Sequence, residues 1–511
     1  MTDHDDTTGR DVSAYDATEF DATECDATEC DATERDAADE VTVIGGGLAG
    51  MTAAWALSSL GLPVRLLEAA PDLGGKAGSR RIDGRTEDHG VHIFPAFYRN
   101  TLRLIDDLGL TGSLRPTHKF HQIRPGLLGG APRKATATSV AEGLLFLYGV
   151  IDLLAQDYTT RDESLHDFLR TRRYLTEETV ADIEHFFIAS TAAESRAASA
   201  AEFRGSIAAF LRRPGRIRMP RGDLQHWLID PFQRRLEATG VKVHTGYELT
   251  AVTTSGHRLH SLTLRTPAHT TTEHVTGHVV LAVPHGRVTD LGPELTGALR
   301  PAQGIRELNS RPLGALHLYL RRRLPHLPAE HIRLVGSPHA ITLLDVGQNW
   351  AGHRTTVLNC VVGRVERLAH LPEAEAVAVL VEELRTYLPG LSPDDIEHVC
   401  YQPHLAAPYF TPGPGTERLR PHSTTALTNL HLAGDFCAAP PGMTGMEGAV
   451  RSGLSAAESV RRVLRPHLPP VRIDTIPTVR PGTARLVRAA LAPLVAAART
   501  QAGPRPRRRR A

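Results

Sequence analysis

The stretch VTVIGGGLAGMTAAWALSSLGLPVRLLEA, residues 41–69, decides the fold. Its first residues, 41–44, form the apolar and β-branched run that is typical of a parallel strand buried on both faces. A GxGxxG motif follows, and further along a second predicted strand, residues 64–67, ends at Glu68. This order predicts a strand, a tight turn, a helix and a second strand, which together form a dinucleotide-binding unit.

Each glycine of the motif has a distinct expected task. Gly45 permits the tight turn, Gly47 lets the backbone approach a pyrophosphate, and Gly50 lets the helix pack close to the strand. The amides and the dipole at the helix N-terminus favour phosphate charge. The predicted contacts therefore also include Gly46, Leu48 and Ala49.

An acidic residue closes the second strand. The Glu68 carboxylate can accept hydrogen bonds from both hydroxyls of an adenosine ribose, and Ala69 beside it belongs to the same predicted contact. A carboxylate at this point disfavours the 2′-phosphate of NADP. The residues therefore predict a cofactor whose adenosine ribose carries no phosphate.

A second informative block, LHLAGDFCAAPPGMTGMEGAVRSGLSAAESV, occupies residues 430–460. An apolar strand leads there to Gly434 and Asp435, and a helix with small residues on one face is predicted to begin near Gly445 and Met446. The N-terminus of such a helix stabilises negative charge on a bound group.

Two shorter motifs follow the first block. They are a GG-K element, made of Gly74, Gly75 and Lys76, and a G-x-H element, made of Gly90, Val91 and His92. Together with the two blocks, these motifs resemble the amine-oxidase-like flavoprotein superfamily, and within it the phytoene and zeta-carotene desaturases and the hydroxysqualene-processing flavoenzymes. The resemblance implies that the cofactor is FAD.

The resemblance also assigns roles to individual residues. It places the GG-K element on the pyrophosphate and Asp435 on the ribityl chain of the flavin. Backbone amides of Gly445 and Met446 would face the isoalloxazine ring, and the backbone of Val243, or else of Val241, would contact adenine. A helix N-terminus at the ring suits the electron-rich end of a reduced flavin.

His92 is the titratable side chain that the resemblance places near the isoalloxazine, and it is the candidate catalytic residue. A histidine can change protonation near neutral pH, which suits proton transfer. The alternative is that His92 only packs against the flavin edge or donates a hydrogen bond to it.

The resemblance implies a desaturase or dehydrogenase that moves a hydride from a large apolar isoprenoid or carotenoid-like substrate to flavin N5. The main alternative is an amine or amino-acid oxidase, and a further one is a non-catalytic prenyl-binding relative. Amine oxidases carry two aromatic side chains that cage the amine, and Gly445 and Ala406 stand at those positions. Leu405 stands where a flavin-linking cysteine occurs, which predicts non-covalent FAD.

The predicted fold class is α/β, with a Rossmann-like FAD-binding domain and an inserted α+β substrate domain. The expected divisions are a disordered acidic repeat tail at 1–39, FAD-binding segments at 40–100, 236–285 and 426–465, substrate segments at 101–235 and 286–425, and a basic tail at 466–511. In the basic tail, Pro493 argues against a continuous helix.

Composition limits the function classes. The net charge of +1 gives no case for nucleic acid binding by the whole chain, and no metal site is expected. Five scattered cysteines without a CxxC motif indicate a reduced, cytoplasmic protein. The basic, partly amphipathic C-terminal tail leaves two alternatives, a solvated tail or peripheral contact with the inner face of a membrane. The sequence predicts no particular oligomeric state.

Overall fold

The structure is a computed structural model that describes residues 39–117, 121–125, 139–158, 162–191, 194–212, 217–406, 408–475 and 480–502. The acidic repeat that begins at Asp16 and the arginine run at 507–510 lie outside the described residues.

The strands are β1 Val41–Ile44, β2 Val64–Glu68, β3 Arg80–Ile82, β4 Arg85–Glu87, β5 Leu114–Thr117, β6 His121–Ile123, β7 Ile217–Pro220, β8 Lys242–Thr245, β9 Glu248–Ser255, β10 Arg258–Arg265, β11 Thr270–His274, β12 His278–Leu281, β13 Asn309–Arg311, β14 Gly314–Leu320, β15 Ile332–Leu334, β16 Ile341–Asp345, β17 Val357–Val362, β18 Ile396–Gln402, β19 Tyr409–Thr411 and β20 Leu430–Leu432.

The α-helices are α1 Leu48–Ser58, α2 Arg99–Asp107, α3 Val140–Ala155, α4 Leu165–Thr171, α5 Glu177–Thr191, α6 Ala200–Arg212, α7 Asp230–Ala238, α8 His285–Asp290, α9 Pro293–Gly297, α10 Glu373–Tyr387, α11 Gly445–Leu464 and α12 Pro481–Gln501.

A five-stranded parallel sheet, in the order β20-β12-β1-β2-β8, organises the first part of the molecule. All four residues of β1 are buried, because β1 lies in the centre of the sheet and both of its faces are covered. The strands come from the segments 40–100, 236–285 and 426–465. Chain segments that are distant in sequence therefore meet in one sheet.

The two faces of this sheet pack differently. Val43, Leu66 and Val280 pack in one cluster with helices α1, α7 and α11. Ile44 and Leu67, the next residues along the strands, belong instead to a cluster with the antiparallel sheet β11-β10-β9. This alternation follows from the two-residue period of a strand, and it produces three layers of helix, sheet and sheet.

A six-stranded sheet, in the order β18-β14-β17-β16-β15-β6, organises the second part. It is mostly antiparallel, and helix α10 covers it through a cluster that includes Leu380, Leu384 and Tyr387. Together with the helices α3–α6, this sheet forms the α+β portion of an α/β fold.

The C-terminal helix α12 corrects the sequence argument from Pro493. It is continuous from Pro481 to Gln501 and includes that proline. A proline inside a helix removes one hydrogen bond and costs roughly 3 kcal/mol, but α12 packs along α3, and this tertiary contact supports the helix. In the ranges that the structure describes, none of the helices has the length and apolar character needed to cross a lipid bilayer.

Candidate functional site

The carboxyl ends of the parallel strands meet at one edge of the sheet, as in other doubly wound folds. The turn after β1 lies there, and Gly45 has a φ of +107°. A Cβ at Gly45 would approach the Ala282 carbonyl oxygen to 2.6 Å, and one at Gly50 would approach the Gly45 oxygen to 1.9 Å. The turn and the start of α1 therefore fit together only with hydrogen in place of these side chains.

Glu68 is held in place beside this turn. Its Oε2 accepts a hydrogen bond from the Gly46 amide at 2.6 Å, and its Oε1 accepts one from the Ala70 amide at 2.7 Å. A carboxylate offers about four lone pairs, so both oxygens retain capacity for ribose hydroxyls. Ala69, which shares the predicted contact, is exposed.

The GG-K element lies directly against the glycine turn. The Gly74 amide donates to the Gly46 oxygen at 2.8 Å, and a Cβ at Gly75 would come within 3.1 Å of the Gly47 Cα. Leu48 and Ala49 begin α1 above this contact and are buried. Backbone amides and glycines from both segments thus surround the predicted pyrophosphate position.

The Lys76 ammonium group contacts the start of β19. Its Nζ donates to the Pro408 carbonyl oxygen at 2.7 Å and lies 5.3 Å from the centre of the Tyr409 ring. Burial lowers the pKa of Lys76, and the charge of Asp435 opposes this shift. Lys76 therefore connects the GG-K element to the Asp435 region, while its predicted contact with pyrophosphate stays a prediction.

Gly434 and Asp435 follow β20 at the same edge of the sheet. The Gly434 amide donates to the Ser452 hydroxyl at 2.8 Å. A buried arginine shapes the next residues, since Arg420 Nη2 donates to the carbonyl oxygens of Asp435 at 2.9 Å and of Cys437 at 2.7 Å. The sequence alone assigned Arg420 no role in the site, because the carbonyl groups that it binds are recognised only in the folded chain.

Helix α11 begins beside this loop. Gly445 has a φ of +61°, and a Cβ there would have the Tyr98 hydroxyl at 3.9 Å as its nearest neighbour. Among the described contacts, the Thr444 side chain does not cap the helix, and it bonds instead to Glu202. Met446 packs partly into the core beneath. The first amides of α11 therefore remain available to a bound group.

Glu447 joins α11 to the segment that carries the G-x-H element. Its Oε1 accepts from the Asn100 amide and side chain, and its Oε2 accepts from the amide and hydroxyl of Thr101. Burial raises the pKa of Glu447, and these four hydrogen bonds oppose the rise. The carboxyl thus holds the start of α2 against the start of α11.

The G-x-H element lies against the six-stranded sheet. Gly90 has a φ of +149°, and a Cβ there would meet Val361 of β17 at 2.9 Å. Val91 and His92 follow, both partly buried, and the His92 Nε2 finds no hydrogen-bond partner among the described residues. Burial lowers the pKa of His92 to about 3. His92 is therefore neutral at physiological pH and does not change charge there, while its catalytic role stays a prediction.

Further imidazoles lie in the same region, and sequence reasoning did not assign them a role. The rings of His89 and His404 lie 4.6 Å apart, and Nδ1 of His89 and Nε2 of His404 lack partners among the described residues. Burial lowers the pKa of His89 to about 4 and that of His404 to about 3. These side chains add neutral donors and acceptors beside the G-x-H element.

A buried hydrogen-bond network holds Glu87 and Asp88, the two residues directly before His89. His317 Nδ1 lies 2.8 Å from the Glu87 carboxylate, and its Nε2 lies 2.9 Å from the Asp88 carbonyl oxygen. Burial alone would raise the pKa of Glu87, but hydrogen bonds from His317 and Tyr319 outweigh it and lower the pKa. Burial raises the pKa of Asp88 to about 7.

Glu202 of α6 is another buried acid that the sequence did not reveal. It accepts hydrogen bonds from the Gly442 amide and the Thr444 hydroxyl, whereas its Oε1 has no partner among the described residues. Burial raises its pKa to about 7, and the charge of Arg420 opposes the shift. Glu202 therefore attaches the α+β portion to the loop that precedes α11.

Val243 lies on β8, the edge strand, and pairs with Leu66 in β2. It is partly buried and packs on the helical side of the sheet, whereas Val241 is fully buried. An edge strand leaves backbone groups unpaired, which suits contact with adenine. The adenine contact of Val243 stays a prediction.

The residues present fit a flavin dinucleotide. The glycine turn would receive the pyrophosphate, Glu68 the adenosine ribose, Asp435 the ribityl chain, and the start of α11 the ring. In the described ranges, no cluster of histidine, cysteine and acidic side chains has the arrangement that would hold a metal ion.

Comparison with known proteins identifies the family. The model of the family "flavin containing amine oxidoreductase" matches residues 48–461. Phytoene desaturase from an Oncidium hybrid cultivar is 22% identical over 457 residues, which cover 82% of this chain and 77% of that protein. Hydroxysqualene dehydroxylase from Rhodopseudomonas palustris is 25% identical over 446 residues, 82% of this chain and 98% of that protein.

Two other similarities are more limited. Coproporphyrinogen III oxidase from Bacillus subtilis is 31% identical over 153 residues, which span 26% of this chain and only 32% of that protein. The structure of cyclohexylamine oxidase from Brevibacterium oxydans superposes with a TM-score of 0.63 at 16% identity, over 84% of this chain and 100% of that one, and it shows the fold.

The predicted fold, an FAD-binding domain with an inserted α+β substrate domain, and the predicted FAD cofactor are confirmed. The chain belongs to the family of flavin-containing amine oxidoreductases.

Proposed function

We propose that the protein is an FAD-dependent desaturase or dehydrogenase that acts on a large, apolar, isoprenoid-like or carotenoid-like substrate. The observation that carries this proposal is the glycine at the start of α11. It stands where amine oxidases place one of the two aromatic side chains that cage an amine.

The backbone at Gly445 favours glycine. Its φ of +61° lies in the left-handed region, which side chains other than asparagine and aspartate rarely adopt. The nearest atom to a Cβ built there is the Tyr98 hydroxyl, at 3.9 Å. The space that a caging ring would fill is therefore open, which suits a wide or chain-like substrate better than a small amine.

The second cage position is also small. Ala406 stands there and is exposed, and the neighbouring Leu405, at the position of a flavin-linking cysteine, is exposed as well. Both observations support non-covalent FAD and a flavin face without an aromatic pair. The phytoene desaturase and hydroxysqualene dehydroxylase relatives, whose names denote isoprenoid substrates, support the same substrate class.

Bound FAD would supply the oxidising chemistry by accepting a hydride from an activated carbon of the substrate. The protein's own part is to orient the substrate and exclude water. His404 is buried and His92 partly buried, and both are neutral, so they can donate or accept hydrogen bonds without adding charge. Uncharged imidazoles are compatible with an apolar substrate.

We include a cytoplasmic location in the proposal, because five scattered cysteines without a CxxC motif are typical of a reduced protein. Cys360, Cys400 and Cys437 are buried as thiols, and burial raises the pKa of each of them. A buried thiol with a raised pKa reacts poorly with oxidants.

The test is anaerobic bleaching of the oxidised flavin band. Carotenoid and squalene-type lipids in liposomes would be compared with a panel of amines and amino acids, using the FAD-loaded protein. We expect reduction by at least one lipid and none by amines. Rapid reduction by an amine, with none by any lipid, would replace the proposal with an amine oxidase.

A further inference from the structure

Exposed apolar side chains concentrate on three neighbouring helices. Among the large apolar residues that are exposed in the described ranges, most lie on α3, α6 and α12; these are Val140, Leu147, Phe210, Leu211, Leu486, Val487 and Leu494. The others, Val379, Leu405 and Val463, lie on separate elements. Single exposed apolar residues need no explanation, but a concentration on adjacent helices indicates an interaction surface.

One face of helix α12 packs on α3, and the other face points outward. Ala484, Val495 and Ala498 are buried, and the last two pack in one cluster with α3. Arg488 Nη1 donates to Asp152 at 2.6 Å, and Arg485 Nε donates to the Ala155 carbonyl oxygen at 3.1 Å. These contacts determine which face of α12 points outward.

The outward face of α12 is apolar. Leu486 is 75% exposed and Leu494 is 57% exposed, and their spacing of eight residues puts them on one side of the helix. On α3, Val140 is 92% exposed and Leu147 is 50% exposed, at a spacing of seven residues. Each helix therefore buries one stripe and exposes another apolar stripe.

The charge of the same segment has one sign. Residues 475–511 contain nine arginines and no acidic residue, and one of these arginines, Arg488, pairs with Asp152 of α3. A helix with exposed leucines and arginine as its only charged residue type complements an anionic lipid surface. A second copy of the chain would bring arginines against arginines across a two-fold axis, which disfavours self-association through this face.

We propose that the outward faces of α3 and α12, together with the exposed end of α6, form a surface that docks on an anionic lipid bilayer, with the leucines of α12 inserted at the interface. We call it the α3–α12 surface. Helix α12 lies beyond residues 48–461, which the family model matches, whereas α3 and α6 lie within them. The inference rests on surface chemistry and does not depend on the substrate proposed above.

The experiment is co-sedimentation of the full-length, FAD-loaded protein with vesicles. Neutral phosphatidylcholine vesicles would be compared with vesicles that contain about 30% phosphatidylglycerol, at low and at high salt. We expect binding to the anionic vesicles that is at least about tenfold tighter than to neutral ones and that weakens as salt screens the arginines. Equal binding to both vesicle types would overturn the proposal.

A pair of double variants separates insertion from charge. Leu486→Gln with Leu494→Gln removes apolar area from α12 without changing charge, and it should weaken binding at least about tenfold. Val379→Gln with Val463→Gln, at exposed sites on α10 and α11, is the matched control and should bind like the parent. Flavin content and circular dichroism check that each variant is folded.

Two outcomes contradict the proposal. Full vesicle binding by the Leu486/Leu494 variant would assign the attraction to the arginines alone. Light scattering that shows a dimer in the parent protein, converted to a monomer by this variant, would assign the face to a second copy of the chain.

Discussion

The backbone determines the geometry at the nucleotide end of the site, whereas side chains determine it in the region of buried acids and imidazoles. At the nucleotide end, hydrogen atoms of glycine and backbone amides determine the shape, as the 1.9 Å approach at Gly50 demonstrates. In the second region, side chains contact groups from distant segments, as His317 contacts Glu87 and Glu202 contacts the loop at Gly442. Backbone sites tolerate almost no change, whereas side-chain sites tolerate isosteric change.

The largest effect is expected from a substitution in the glycine turn. Gly50→Ala places a Cβ 1.9 Å from the Gly45 carbonyl oxygen, and backbone cannot yield at a close-packed contact. We expect loss of bound flavin and a fall in stability of more than about 3 kcal/mol. Flavin absorbance of the purified protein and urea unfolding measure the two effects.

The control is Gly286→Ala, because a Cβ at Gly286 meets nothing within 4 Å. That variant should retain flavin and unfold like the parent. Normal flavin content in Gly50→Ala would show that the turn does not bind the cofactor through close backbone approach.

A smaller effect is expected from the two acids at this edge. Glu68→Ala and Asp435→Ala each remove charge-assisted hydrogen bonds worth about 1.5–3 kcal/mol, so FAD affinity should fall roughly 10- to 100-fold. Titration of the apoprotein with FAD gives the dissociation constants. Asp72→Ala, at an exposed acid nearby, should leave the affinity unchanged. If both variants titrate like the parent, the roles inferred from the motifs are wrong.

The buried Asp88 carboxyl should make the stability of the protein depend on pH. Burial raises the pKa of Asp88 to about 7, so this carboxyl stays protonated in the folded state after it has ionised in the unfolded chain. Its contribution to stability is therefore full below about pH 4 and is lost as the pH rises to about 7. Asp88→Asn keeps an acceptor for the Ser79 hydroxyl and the Leu224 amide but cannot ionise.

Urea unfolding at pH 5 and pH 8 measures the consequence. The free energy of unfolding of Asp88→Asn, taken relative to that of the parent, should be higher at pH 8 than at pH 5 by on the order of 1–3 kcal/mol. Asp107→Asn, at an exposed carboxylate, serves as the control. A stability difference that is the same at both pH values would mean that Asp88 is ionised in the folded protein at pH 5.

The same contrast explains what the sequence could predict. The turn at Gly45–Gly50, the strand that ends at Glu68 and the start of α11 follow local rules of spacing and residue type, so fold and cofactor were accessible. Arg420, Glu202 and His404 follow no local pattern, because their significance depends on which distant backbone groups surround them. Pro493 shows the converse, since the packing of α12 on α3 overrides a local rule.

The smallest expected effect concerns His92. Its pKa of about 3 keeps the ring neutral across the physiological range, so it can contribute a hydrogen bond but no titration. His92→Gln preserves a donor and an acceptor and should change the rate of anaerobic flavin reduction less than about threefold, whereas His92→Leu loses a hydrogen bond and should slow it roughly 2- to 10-fold. Because neither variant removes a titrating group, the pH profiles of both should have the shape of the parent profile between pH 5 and 9. If the pH profile of the parent has an inflection near pH 6.5 that disappears in His92→Gln, then His92 titrates during the reaction. The side-chain region would then tolerate isosteric change as poorly as the backbone site tolerates any change.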